Sequence, residues 1–270
     1  MKILFLGDVM GRAGRQAVAN NLPAMRAEWG LDFVVVNGEN ATSGMGLSGA
    51  HAKALLEAGA DVVTLGDHAF DQKDMLQFIE HEPRVIRPLN FSKAAPGKGA
   101  RVFTAAGKKI LVTQALGQVF MKRPFDDPFS ALETVFRTHT LGGAVDVAIV
   151  DFHCEATSEK MAMGHWCDGR ASLMVGTHTH VPTADAMILP KGCAYLTDAG
   201  MCGDYHSVIG MQREEPLRRF ITGMPKERFT PALGEVSLCG VYVEVGEGGR
   251  ATRVVPVRRG GHLPEVGPLG

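Results

Sequence analysis

At 270 residues, 45% hydrophobic and 21% charged, the chain is long enough to bury one large core or two modest ones. A formal net charge of −1 gives no global field to recruit nucleic acid or an acidic membrane, and no apolar run approaches bilayer length. Five scattered cysteines (154, 167, 193, 202 and 239), with no C-x-x-C among them, argue for free thiols and against a disulfide framework or a structural zinc site. The apolar stretch before Gly7-Asp8 is too short for a signal h-region, so a cytoplasmic protein is expected.

In chain order, residues 3–6 are a short apolar run suited to a strand buried on both faces. A turn over 11–14 and an amphipathic helix over 15–29 should follow, then a buried strand over 33–36. Ser48 can cap a helix over 49–58, which ends near Gly59. Residues 62–65 give a third strand, and Asp71 caps a helix running to about 81. This βαβαβα rhythm argues for a layered α/β fold with a largely parallel sheet. The middle then changes character: 101–105 and 109–115, split by Gly107, read as a hairpin, and 131–140 as a helix. A buried strand over 145–152 is followed by a helix from Thr157 or Ser158 to about 163, then by short strands near 186–189 and 194–197. Residues 204–231 carry five basic side chains (Arg213, Arg218, Arg219, Lys226, Arg228) and read as a surface excursion. Residues 235–245 and 252–258 alternate like a closing hairpin. One domain is expected over 1–260, with a loosely ordered Gly/Pro-rich tail over 261–270.

Five apolar runs end in ligand-type residues: Asp8; Glu39-Asn40; Asp67-His68; His153; and His178 with His180 in Gly176-Thr177-His178-Thr179-His180. An H-x-H at a strand tip should aim both rings to one side, because strand side chains alternate. In open α/β sheets ligands bind beyond the carboxyl ends of the strands, where sequence-distant residues converge. Carboxylates and imidazoles without thiolate suit iron or manganese first and zinc next, in a hydrolytic role. A shared carboxylate such as Glu39 can bridge two ions. Singly, each residue has a plainer account: Asp8 and Asp67 as helix caps, Glu39-Asn40 as turn chemistry, His153 as a core histidine. One shared cause is the more economical account of five strand ends. The basic excursion lacks interleaved aromatics apart from Phe220 and Phe229, so no stable nucleic-acid complex is expected.

The order Gly7-Asp8-Val9-Met10-Gly11, Asn37-Gly38-Glu39-Asn40, Gly66-Asp67-His68, Asp151-Phe152-His153, Gly176 to Val181 and Asp198-Ala199-Gly200-Met201 resembles the calcineurin-like metallophosphoesterases, and within them the YmdB-type branch. The resemblance covers nearly the whole chain. It implies an αββα sandwich of two mixed sheets flanked by helices. It also implies a dinuclear site, with Asp8, Glu39, Asn40 and His180 on one ion and Glu39, Asp67, His153 and His178 on the other. His68 would be the general acid, and the reaction hydrolysis of 2′,3′-cyclic nucleotides to 3′-nucleotides by a metal-bridging hydroxide. Two alternatives stand beside it: a phosphomonoesterase acting on a small ester, and a metal- and nucleotide-binding regulatory protein with weak turnover. Position 67 is Asp where the family has Asn, which should keep metal binding and weaken contact with an anionic substrate. Asp67 and His206 are the expected substrate contacts, and a homo-oligomer is a further expectation from the resemblance.

Overall fold

The computed structural model describes residues 1–269. The first half runs β1 (Lys2–Leu6), β2 (Asp8–Val9), α1 (Gly11–Trp29), β3 (Phe33–Asn37), α2 (Gly49–Glu57), β4 (Val62–Thr64), α3 (Met75–His81) and β5 (Val85–Ile86). A hairpin of β6 (Ala100–Ala105) and β7 (Lys108–Leu116) leads to α4 (Pro128–Thr138), β8 (Val147–His153), α5 (Thr157–Cys167) and β9 (Leu173–Thr177). The remainder is β10 (Met187–Ile188), β11 (Ala194–Leu196), β12 (Met201–Asp204), α6 (Glu214–Thr222), β13 (Val236–Val245) and β14 (Ala251–Arg259).

Two sheets result. The first has the order β2-β12-β13-β1-β3-β4-β5, with β14 on the other edge of β13; the second has the order β10-β11-β9-β8-β7-β6. β1, β3, β4 and β5 are mutually parallel, as are β7, β8, β9 and β11, so their carboxyl ends share one rim. Period-two alternation sorts the side chains. Ile3 and Phe5 of β1 meet Ile149, Leu173 and Val175 in the core between the sheets, while Leu4 and Leu6 face the helices. α1, α2 and α3 cover the first sheet, and α4 and α5 cover the second. The four-layer αββα sandwich expected from the sequence is present.

Several local expectations are corrected. The glycines at 11 and 14 belong to the first turn of α1 and do not form a separate turn before it. Gly14 is required by close approach, since a Cβ there would stand 2.3 Å from the Cys202 carbonyl oxygen of β12. α3 begins at Met75, because Asp71 spends its carboxylate on His68 while Asp74 accepts from Gly49 N across the α2–α3 gap. α4 starts earlier than its apolar periodicity suggests, since Asp127 accepts from Phe129 N and Ser130 N. The segment over 261–269 is tied down and not loose: Arg258 and Val266 exchange backbone bonds, Leu263 N donates to Ser237 Oγ, and Arg253 donates to the Pro268 carbonyl. Gly270, the end of that expected tail, lies outside the described residues. No described helix is long and apolar enough to cross a membrane.

Candidate metal centre

The shared rim gathers the five ligand-type clusters. Asp8 lies in β2, Glu39 and Asn40 follow β3, and Asp67 and His68 follow β4, all from the first sheet. His153 ends β8, and His178 and His180 follow β9, from the second. The first sheet therefore supplies Asp8, Glu39, Asn40 and Asp67, with the His68 ring beside them, and the second supplies His153, His178 and His180. Glu39, Asp67, His153 and His178 bring one donor atom each within 4.8 Å of one another, a spacing that a single cation could span. His153 Nε2 is the hub, 2.7 Å from Glu39 Oε2, 3.3 Å from Asp67 Oδ1 and 3.0 Å from His178 Nδ1. A second group adjoins it: Asp8 Oδ1 is 3.9 Å from His180 Nε2, and Asn40 Nδ2 is 3.0 Å from the same nitrogen.

Glycine makes room for this convergence. A Cβ at Gly66 would come within 2.4 Å of the Glu39 carboxylate, so only glycine lets β4 end beside that side chain. The H-x-H pair does not converge through strand pleating, as the sequence suggested. β9 stops at Thr177, and His178 and His180 both adopt left-handed backbone, with φ of 99° and 66°. Such conformations cost on the order of 1–3 kcal/mol each and persist only where the surroundings over-determine them. Here Asp198 does so. Its Oδ2 accepts from Thr179 N (3.2 Å), from Thr179 Oγ1 (2.8 Å) and from the fully buried Lys160 Nζ (2.6 Å). His180 Nδ1 donates to the carbonyl of Ile209 at 2.8 Å, which puts the ring's lone pair on Nε2, where it meets Asn40 Nδ2. Ile209 is itself β-branched with φ 47°, so strain again marks the site.

The donor set fits cations. Among the described residues three buried side-chain polar atoms have no hydrogen-bond partner, and two of them are Asp8 Oδ1 and Glu39 Oε2. The Glu39 oxygen is close to His153 Nε2 yet outside hydrogen-bonding geometry. Orphaned buried carboxylate oxygens are costly unless something positive meets them. Charge in the cluster is shared in the same sense. Burial alone would raise Asp67, but bonds from His153 and His178 and the nearby His68 hold it far below the usual carboxylate range. Burial would lower His153, and the Glu39, Asp67 and Asp8 carboxylates push it well above the usual imidazole range. Borderline cations with oxygen and imidazole donors match this chemistry, and no thiolate takes part. Cys154 is buried, and burial pushes its thiol above the ordinary range.

His68 stands beside the cluster, half-buried, with Nδ1 2.7 Å from Asp71 Oδ2. The sequence reading missed Asp71 in this role because a carboxylate before a helix reads as a cap. A cleft of ≈ 580 Å³ opens over the cluster, and its outer wall is apolar, including Met45, Phe120, Met211, Phe220 and Phe229. Phe120 and Phe220 are 83% and 86% exposed, on opposite chain segments of the mouth. Lys122 is the one lysine or arginine among the described residues that line it. His206 does not line the cleft; its ring meets Arg213 Nη1 at 2.8 Å and packs edge-on against His262. Arg218 and Arg219 of the basic excursion are paired with Glu215, and Arg219 also lies over Phe229.

An αββα sandwich with carboxylates and imidazoles gathered on one strand rim is the architecture of the calcineurin-like metallophosphoesterases. A 5′-nucleotidase precursor from Thermus thermophilus shares the fold at a TM-score of 0.55 and 12% identity, with 98% of this chain matching 54% of that one. The chain belongs to the YmdB-like protein family, whose model matches residues 4–257. It is 43% identical over 247 residues to the 2′,3′-cyclic-nucleotide 2′-phosphodiesterase of Bacillus subtilis, covering 92% of each chain. Two solved structures are similar throughout. A hypothetical protein from Thermus thermophilus superposes with a TM-score of 0.90 at 45% identity, over 97% of this chain and 100% of that one. A novel phosphatase from Mycoplasma pneumoniae gives 0.89 at 38% identity, over 100% of this chain and 95% of that one.

Proposed function

We propose that this phosphoric ester hydrolase opens 2′,3′-cyclic nucleotides to 3′-nucleotides, using two metal ions held by Asp8, Glu39, Asn40 and His180 on one side and Glu39, Asp67, His153 and His178 on the other. The observation that carries the reading is the cleft itself, an ionic floor under an aromatic mouth. Cations on these donors would supply an acidified water as nucleophile and neutralise charge on the phosphoryl oxygens. His68 would protonate the departing 2′-oxygen, a reading supported by its Nδ1–H bond to Asp71, which orients the ring and leaves Nε2 to serve the cleft. Phe120 and Phe220 offer flat apolar surfaces to the base, and few side chains at the mouth could read its edge. The name carried by the Bacillus subtilis relative supports the same substrate class.

Charge favours a diester over a monoester. Asp67 and Glu155 both line the cleft, and an ionised Asp67 accepts but cannot donate to a phosphoryl oxygen. A diester brings one negative charge against them and a monoester about two. Steady-state hydrolysis of 2′,3′-cyclic AMP and of p-nitrophenyl phosphate, both with added manganese, tests this. The diester should have the higher kcat/KM, and Phe120→Ala and Phe220→Ala should raise its KM about tenfold with little change in kcat. Equal or better use of the monoester would reject the reading. Turnover of neither substrate, restored by Asp67→Asn, would instead make the chain a binding protein.

A further inference from the structure

Beneath His153 lies a carboxylate that the reaction does not touch. Asp151 is fully buried inside β8 and receives hydrogen bonds from both sheets. Its Oδ2 accepts from Asn37 Nδ2 (3.1 Å), Thr64 Oγ1 (2.6 Å) and Gln114 Nε2 (2.7 Å), and its Oδ1 from Thr177 Oγ1 (2.6 Å). Thr177 Oγ1 in turn lies 2.9 Å from His153 Nδ1.

Two of these donors cannot be reversed. Asn37 uses its amide oxygen to accept from Glu39 N, so its nitrogen is the group facing Asp151. Gln114 uses its amide oxygen to accept from Leu65 N, which fixes its nitrogen in the same way. The remaining oxygen of an ionised Asp151 can only accept, so the Thr177 hydroxyl must give it its single proton. The hydroxyl's lone pair is then all that Thr177 can present to His153, and only an Nδ1–H satisfies it. A neutral His153 ring consequently carries its lone pair on Nε2, the nitrogen at the hub of the cluster.

We infer that Asp151 and Thr177 are positioning residues that set the tautomer of His153, and so its readiness to bind a cation through Nε2. The inference rests on the metal reading of the site above. The two side chains form a one-way proton chain, His153 to Thr177 to Asp151. Thr177→Val has the same shape and removes the acceptor without reversing the chain. Thr177→Ser keeps it. Asp151→Asn reverses it: three donors oblige the new amide to turn its oxygen toward Asn37, Thr64 and Gln114. Its NH₂ then donates to Thr177, whose proton is pushed toward His153 Nδ1.

The test is calorimetric titration of the metal-free protein with Zn²⁺, beside ¹⁵N-histidine spectra of the zinc-loaded protein, with the His153 signal assigned by its loss in His153→Gln. The expected order of affinity for one of the two ions is parent equal to Thr177→Ser, then Thr177→Val weaker by about 10–100-fold, then Asp151→Asn weakest. In the parent and Thr177→Ser the proton should be seen on Nδ1 of His153. Thermal melts of the metal-free variants separate folding from binding: Thr177→Val should melt close to Thr177→Ser. If Asp151→Asn does not fold, the valine–serine pair still decides. Parent-like zinc affinity in Thr177→Val, or a proton on Nε2 of His153 in the parent, overturns the inference. Failure of the parent to bind zinc at all would reject the metal reading instead.

Discussion

Gly66→Ala separates the making of the site from the making of the fold. Gly66 does not occupy left-handed backbone, so alanine can adopt its conformation. Its Cβ would lie 2.4 Å from Glu39 Cδ and Oε2 and 2.7 Å from Oε1. Ordinary contact begins near 3.5 Å, so the Glu39 carboxylate must withdraw by roughly 1 Å. The end of a side chain can do that, and the backbone is spared. Withdrawal stretches the 2.7 Å bond from His68 N to Glu39 Oε1, a bond to a charged acceptor worth about 1.5–3 kcal/mol. At about 2–4 °C per kcal/mol for a chain of this size, the melting temperature should fall by about 5 °C. The larger effect is on the one carboxylate that would serve both ions of the proposed site. A displacement of about 1 Å costs roughly a hundredfold in rate. The assay is manganese bound per chain, turnover of 2′,3′-cyclic AMP and a thermal melt on the same preparation. A variant that keeps two ions and turns over within a few-fold of the parent would refute the reasoning. Gly176→Ala is the contrast. There the Cβ would meet the Thr197 carbonyl oxygen at 1.8 Å, a backbone atom that cannot swing aside, so soluble folded protein should be lost.

Asp67→Asn should leave metal content unchanged and lower KM for a cyclic nucleotide about fivefold, the scale of removing one partly screened like charge, read from steady-state kinetics. His68→Ala should lower kcat by about 10²–10⁴-fold while both ions stay bound, and Asp71→Asn should cause a smaller fall in kcat with the same metal content. Glu215 supplies a pH dependence away from the site. Burial would raise it, but the Lys226 backbone N–H and the Arg219 and Arg218 guanidiniums bring it down to about 2. Its folded value lies below the ordinary carboxylate value. Its contribution to holding α6 against the 226–227 backbone is therefore complete above about pH 4.5 and lost as pH falls toward 2. Protection of the α6 amides, taken relative to the intrinsic exchange rate at each pH, should fall over that window, and Glu215→Gln should abolish the change.

The layered fold was legible because the buried strands are nearly uniform runs of Val, Ile, Leu and Phe, and because ligand-type residues close five of them. The clusters were legible for the same reason: Asp8, Glu39, Asp67, His153 and His178 each interrupt an apolar pattern at its end. What the pattern cannot carry is backbone hand. Nothing in Thr177-His178-Thr179-His180 announces two left-handed histidines, since the cause, Asp198 held by Lys160, lies elsewhere in the chain. Asp151 had no role in the sequence reading beyond its place in the Asp151-Phe152-His153 motif, because a single carboxylate inside a buried run looks the same whether it is satisfied by four donors or by one. Its meaning needs Asn37, Thr64, Gln114 and Thr177, which only the stacking of two sheets brings together. His206 shows the opposite error: proximity in sequence to the expected rim did not place its ring in the cleft, because Arg213 and His262 hold it elsewhere.

The division of donors between the two sheets has a consequence for assembly. With Asp8, Glu39, Asn40 and Asp67 on one sheet and His153, His178 and His180 on the other, neither half alone holds the full donor set proposed for either ion. An ion bound by the proposed set would act as a clasp across the seam of the sandwich, complete once the halves have closed. Metal supply would then become a term in the folding equilibrium, worth about 2.7 kcal/mol per ion at a hundred times its dissociation constant. The same clasp makes the seam the place where a metal-starved molecule should begin to open.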